Sequence, residues 1–241
     1  MKNLSVTTLL ILSIVLFTNS ASAQSNRITN KKFNVTPFSA IESNSVGNIE
    51  FTQSSDYSVS AEGSEEMVNR LTVNVQNNKL RISTKKSLKK WFGSRRSGKL
   101  VIRISSPTLN AIESDGVGNI ELKGKIETSR FKIVSDGVGN LNAQNLNADN
   151  IDITSDGVGN ITLNGTAGSV TVESDGVGNV KIENLKAKNA IIDSDGVGNV
   201  SCYATESVEI HAGGIGNVIY YGNPPTKNIE KGGIGKVKAG N

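Results

Sequence analysis

One hexapeptide constrains this chain more than any other feature. Ser-Asp-Gly-Val-Gly-Asn occurs five times without change, beginning at Ser114, Ser135, Ser155, Ser174 and Ser194. Two altered copies follow, Gly213-Gly214-Ile215-Gly216-Asn217 and Gly232-Gly233-Ile234-Gly235-Lys236, and a worn copy, Asn44-Ser45-Val46-Gly47-Asn48, lies far upstream. Counted at the Asn position from Asn119, the intervals are 21, 20, 19, 20 and 18 residues, then 19 to Lys236. So narrow a spread means one structural unit repeated, with insertions confined to its corners. Sixteen of the 25 glycines fall in the seven downstream copies, so glycine here reports a repeated backbone geometry and not low complexity.

Between the hexapeptides, apolar residues alternate with polar ones, the period of a strand with one buried face. Ile120 and Leu122, Ile161 and Leu163, Val200 and Cys202 follow a motif; Phe131 and Ile133, Val170 and Val172, Val208 and Ile210 precede one. Ile126, Leu146 and Leu185 supply a third apolar point in the linking segment. One such unit cannot bury its face alone, but stacked units share a continuous core. The expected fold is all-β: a right-handed parallel β-helix of about 20 residues per coil, with strands about 4.8 Å apart and a rod roughly 30 Å long.

Stacking places equivalent residues in files. Gly116 and Gly118, with Gly137 and Gly139, Gly157 and Gly159, Gly176 and Gly178, Gly196 and Gly198, are expected to bend the chain through positive φ. The intervening Val117, Val138, Val158, Val177 and Val197 are expected to stack into the core. Asn119, Asn140, Asn160, Asn179 and Asn199 should form a ladder of amides bonded from coil to coil. Asp115, Asp136, Asp156, Asp175 and Asp195 are less comfortable, since neighbouring solvated carboxylates at strand spacing repel by roughly 1 kcal/mol. Either each Asp accepts a hydrogen bond from its own turn, or a cation is shared between coils. The structural account is the simpler, and no metal or other cofactor is required.

Residues 24–110 share the strand character without the strict period, and 111–241 hold the repeats. Runs such as Tyr57-Val59-Ala61, Leu71-Val73-Val75, Leu80-Ile82 and Leu100-Ile102-Ile104 are expected to begin the same solenoid and cover one end of its core. Only Glu65 to Arg70 hints at a helical turn. Ahead of this, residues 1–23 read as a cleaved secretory signal: Lys2, an apolar run from Leu9 to Phe17, then Ala21-Ser22-Ala23. The expected location is outside the cytoplasm, in the periplasm, on the outer-membrane surface or beyond. With one Cys there is no intrachain disulfide, and with one His, imidazole chemistry has a single candidate. Cys202, at an inward position, reads as a small core residue; His211 reads as structural, and Tyr220 with Tyr221 as an end cap.

The strongest charge anomaly is Lys85 to Lys99, with Lys85, Lys86, Lys89, Lys90, Arg95, Arg96 and Lys99 around Trp91 and Phe92 and no acidic residue. The formal net charge is +4, so without these seven the chain is net acidic. Such a segment suits an anionic glycan, lipopolysaccharide or an envelope protein, and export argues against nucleic acid. A solubilising hairpin tip is the plainer alternative.

The signal segment, the run ending near Ile41-Glu42, and the ladder of Gly-Val-Gly-Asn followed by Ile or Val resemble the head GIN domain family of auto-transporter adhesins. The resemblance spans about residues 31–240. It implies a secreted or envelope-associated β-helical protein with an adhesin role, and it brings no catalytic residues. The repeats run to Val237, so no C-terminal membrane barrel is expected after them.

Two function classes follow. The first is a non-enzymatic binding protein whose regular faces meet a glycan or another protein. The second is a polysaccharide lyase or hydrolase using carboxylates along one face. Against the second, the Asp residues repeat equally in every coil, whereas an active site breaks symmetry at one level. If the basic segment binds, charge reversal at Lys89, Lys90, Arg95 and Arg96 abolishes retention on anionic vesicles or lipopolysaccharide, measured by co-sedimentation.

Overall fold

The computed structural model describes residues 27–85 and 99–240. The signal segment and Lys86, Lys89, Lys90, Trp91, Phe92, Arg95 and Arg96 lie outside the described residues. The chain forms a β-solenoid of about 6 turns with coils about 20 residues apart.

Its first strands are β1 (Ile28–Phe33), β2 (Ala40–Asn44), β3 (Asn48–Gln53) and β4 (Ser58–Ser64). A short helix α1 (Glu65–Asn69) follows, capped at Ser64, whose hydroxyl accepts from the Met67 N–H at 3.4 Å. Next come β5 (Leu71–Gln76), β6 (Lys79–Thr84), β7 (Val101–Ser106) and β8 (Ala111–Ser114). Three long strands, β9 (Ile120–Ser135), β10 (Leu141–Ser155) and β11 (Ile161–Ser174), each wrap two faces of the solenoid. The remainder are β12 (Val180–Lys181), β13 (Leu185–Ser194), β14 (Val200–Ala212), β15 (Val218–Tyr221), β16 (Thr226–Lys231) and β17 (Val237–Ala239).

From β8 onward every pairing is parallel, coil upon coil. Ile120, Leu141, Ile161, Val180, Val200 and Val218 form one buried file. Ile112, Ile133, Ile153, Val172, Ile192 and Ile210 form a facing one. Each such side chain, fully withdrawn from water, contributes about 1.5–3 kcal/mol before conformational entropy is counted. Register slips fall between Ala143 and Asn145 against β9, between Ala143 and Leu146 against β11, and between Ala187 and Asn189 of β13 against β14. These slips absorb the unequal intervals, so the faces stay in step.

The worn motif belongs to this stack despite its distance in sequence. β2 lies parallel to β8 and β3 to β9, which seats Val46 beside Val117. Below them β6 and β7 continue the parallel pattern against β2 and β3. The remainder of the N-terminal region departs from the expected continuation, because its pairings are antiparallel: β5 with β6, and β1 and β7 on either side of β4. The reversal between β5 and β6 is made by Asn77 and Asn78, both at positive φ (53° and 61°), the requirement of a type I′ hairpin. This layer buries Phe38, Val68, Leu71, Leu80 and Leu100 over the first coil. Charge ties it down across three adjacent strands. Glu50 on β3 receives Lys123 of β9 at 2.9 Å and Arg103 of β7 at 3.3 Å, while Lys79 of β6 reaches Glu113 of β8 at 2.7 Å.

Glycine serves this fold in two ways. Gly159 lies at φ +159°, and Gly157 does not have positive φ, yet a Cβ on either would overlap the backbone of the coil before it. Positive φ at both glycines was expected; at the first, close approach of stacked backbones is the reason instead. Gly124 is the converse case, with φ +74° and open space around it. Gly157→Ala is therefore expected to cost about 3 kcal/mol by overpacking, and Gly124→Ala about 1 kcal/mol, measured by urea unfolding of both variants.

Candidate functional site

The hexapeptides line one long edge of the solenoid. Val46, Val117, Val138, Val158, Val177, Val197, Ile215 and Ile234 are bridged in sequence, each parallel to the next. At strand spacing these eight span about 34 Å. They do not enter the core as expected: Val158 is 51% exposed, and its neighbours in the file are similar. The physical reason is parity. Inward positions run Ile112, Ser114, Gly116, Gly118, Ile120 without a break, so the residues between them, Asp115, Val117 and Asn119, all face out.

Beside the apolar file runs the amide ladder. Asn119 Oδ1 accepts both the backbone N–H of Asn140 (3.0 Å) and its Nδ2–H (3.2 Å). The same double contact recurs for Asn160, Asn179, Asn199 and Asn217, each donating to the Asn before it. Asn48 starts the file by accepting from Asn119 N–H, and Lys236 N–H closes it on Asn217. Every amide points the same way, which fixes the register of one turn on the next.

The third file is acidic. Asp115, Asp136, Asp156, Asp175 and Asp195 are exposed, and among the described residues none accepts a hydrogen bond from its own turn, contrary to expectation. Their turn N–H groups are used elsewhere: Asp156 and Gly157 both donate to Ser135 O, at 3.1 and 2.8 Å. Partial desolvation, then the charges of Asp156 and Asp115, raises the Asp136 carboxyl above its usual value. Asp175 is raised likewise, by desolvation and then by Asp156 and Asp195. The file is a stack of exposed carboxylates.

The regularity breaks at one level. Asp195 is the last of its file, because Gly213 and Gly232 occupy the next two places. There Asp193, Asp195 and His211, all exposed, bring one donor atom each within 4.8 Å of one another. Asp193 pairs directly with His211 across β13 and β14, and His211 with Glu230 of β16, whose carboxylate lies 3.5 Å from Nδ1. Of these residues, sequence reasoning singled out only Asp195 and His211. The roughly 20-residue interval, applied to positions outside the hexapeptide, would have found the rest: Asp193, His211 and Glu230 are 18 and 19 residues apart.

Other candidates fall as follows. Cys202 is buried in the core, and burial pushes its thiol up to about 12, which suits packing and not nucleophilic attack. Tyr220 is an inward residue of the sixth turn, stacked between Cys202 and Ala239, so it does not close the end of the stack. Lys85 and Lys99 flank the basic segment where β6 leads to β7, the place the hexapeptide turn holds in later coils. Lys85 is anchored there, its carbonyl accepting from Arg70 Nη2 at 2.9 Å.

A parallel solenoid with a repeated, solvent-facing turn edge defines a surface-presenting scaffold class. The chain belongs to the family described as "Putative auto-transporter adhesin, head GIN domain", which matches residues 37–224. A "putative adhesin" from Bacteroides fragilis is 36% identical, with TM-score 0.85, covering 89% of this chain and 98% of that one. A "putative lipid binding protein" from Parabacteroides distasonis (20% identity, TM-score 0.66, 88% and 97% covered) shares the fold. So does a "putative adhesin" from Parabacteroides merdae (19%, 0.63, 90% and 98%). No curated protein matches the chain. Among the described residues no helix is long and apolar enough to cross a membrane.

The raised carboxyls carry a sign. A carboxyl raised in the folded state disfavours folding at neutral pH, and the penalty is relieved as pH falls through the raised values toward the ordinary aspartate value of 3.8. Asp136→Asn and Asp175→Asn are expected to raise Tm at pH 7, with the gain over the parent shrinking as pH falls toward 4 in scanning calorimetry.

Proposed function

We propose that this protein is an exported, non-enzymatic adhesin that holds an extended glycan along its turn edge. The observation that carries the reading is the set of three parallel exposed files, carboxylate, aliphatic and amide, which run side by side through the five coils from Asp115 to Asp195. A contiguous exposed apolar stripe flanked by polar groups is the mark of a contact surface. The C–H faces of successive sugars suit the valines, and their hydroxyls suit Asp and Asn on either side. The stacked carboxylates favour an uncharged polymer on this edge. The anionic glycan or lipopolysaccharide expected from the sequence remains assigned to the basic segment Lys85 to Lys99. Family membership and the Bacteroides fragilis relative support an adhesin role and bring no catalytic assignment. A protein surface is the alternative occupant of the same edge.

Glycan-array binding by the purified protein tests the proposal, alongside a reducing-end assay on the same polymers. Retention of an extended neutral glycan is expected, falling at least about tenfold in the Val158→Ser, Val177→Ser double variant, with no released reducing ends. Product formation that disappears on one Asp substitution would replace the adhesin with the lyase or hydrolase reading.

A further inference from the structure

We infer that Asp193, Asp195 and His211 form a binding site for one divalent transition-metal ion, with Zn²⁺ the best-matched. Three features of the backbone build it. The direct pairing of Asp193 with His211 puts a carboxylate and the chain's only imidazole on neighbouring strands, facing out. Asp195 lies two residues beyond Asp193, on the same outward parity. Gly213 then has no side chain at the place that an Asp fills in the five coils before it. The Asp195 carboxylate leans into that place: a Cβ on Gly213 would overlap Asp195 Oδ1 and would lie 3.7 Å from His211 Nε2. The vacancy therefore turns Asp195 out of its file and toward the histidine.

The imidazole is oriented from its other side. Glu230 lies 3.5 Å from Nδ1, so a proton held there leaves the Nε2 lone pair for an ion on the side of the ring where the Asp195 carboxylate lies. A carboxylate behind a ligating histidine is the usual second support of a metal site. The donor atoms lie within 4.8 Å of one another; bonds of about 2.1 Å to zinc need them slightly closer, which rotation of exposed side chains supplies. Water completes the coordination. Imidazole with two carboxylates favours zinc and its neighbours over calcium or magnesium, which prefer all-oxygen shells. Glu173, paired with Asp193 from the coil below, adds negative charge beside the site without being needed as a ligand. The site shares Asp195 with the C-terminal end of the carboxylate file, but it needs no ligand on the turn edge in order to bind an ion.

The test is calorimetric titration of the chelator-stripped protein with ZnCl₂ alone. One ion per chain is expected, with a rise in Tm on saturation. His211→Ala and Asp195→Asn should each weaken binding at least about tenfold, and Glu230→Gln by about tenfold at unchanged stoichiometry. Gly213→Ala removes no ligand and meets only the end of a movable side chain, so it should keep the fold by circular dichroism while weakening zinc about tenfold. No saturable binding up to about 1 mM overturns the site. So does binding that His211→Ala leaves unchanged, or a preference for CaCl₂ over ZnCl₂.

Discussion

Everything in this molecule depends on how closely one turn backbone lies on the next. Val158 N–H donates to Gly137 O at 2.9 Å, and Gly159 N–H to Val177 O at 3.0 Å, so the strand ladder passes through the turn without interruption. That continuity leaves no room for a Cβ at either glycine, and it explains why both are kept in every coil from Gly116 to Gly235. Each Asn then doubles the backbone register with its side chain. Burial supplies the driving force, but this contact decides which residue sits above which. It also puts one kind of side chain at one height on the edge, coil after coil.

Much of this was legible in the sequence because repetition and alternation are both arithmetic. The parallel stack, the amide ladder, the short helix at Glu65–Asn69 and the buried Cys202 all follow from spacing and parity. Two of the readings that failed did so for reasons equally physical. Val117 and its counterparts were assigned inward on hydrophobicity, yet counting by twos from Ile112 to Ile120 places them outside with Asp and Asn. The antiparallel layer over the first coil was hidden because its strands are as apolar as solenoid strands. Its signal was local, in Asn77-Asn78, a pair able to take positive φ twice in succession.

The acidic and histidine group near the last coils was illegible for a different reason. It arises where the motif decays, at Gly213, and a search for repeats discounts such places. Departures from a periodic pattern carry more information about chemistry than its copies do, since the copies are already explained by stacking. The same holds for the basic run Lys85 to Lys99, which interrupts the sequence between β6 and β7 where later coils carry a hexapeptide.

The two ends of the stack are not equivalent. Crossed pairings and ionic ties hold β1 to β7 together, whereas β16 is exposed along its whole length and β17 pairs over only three residues. Under a stretching force such a rod is a zip with one locked end. Coils peel away singly from β17 downward, each release costing a similar tug, and the clasp around β4 is the last to give.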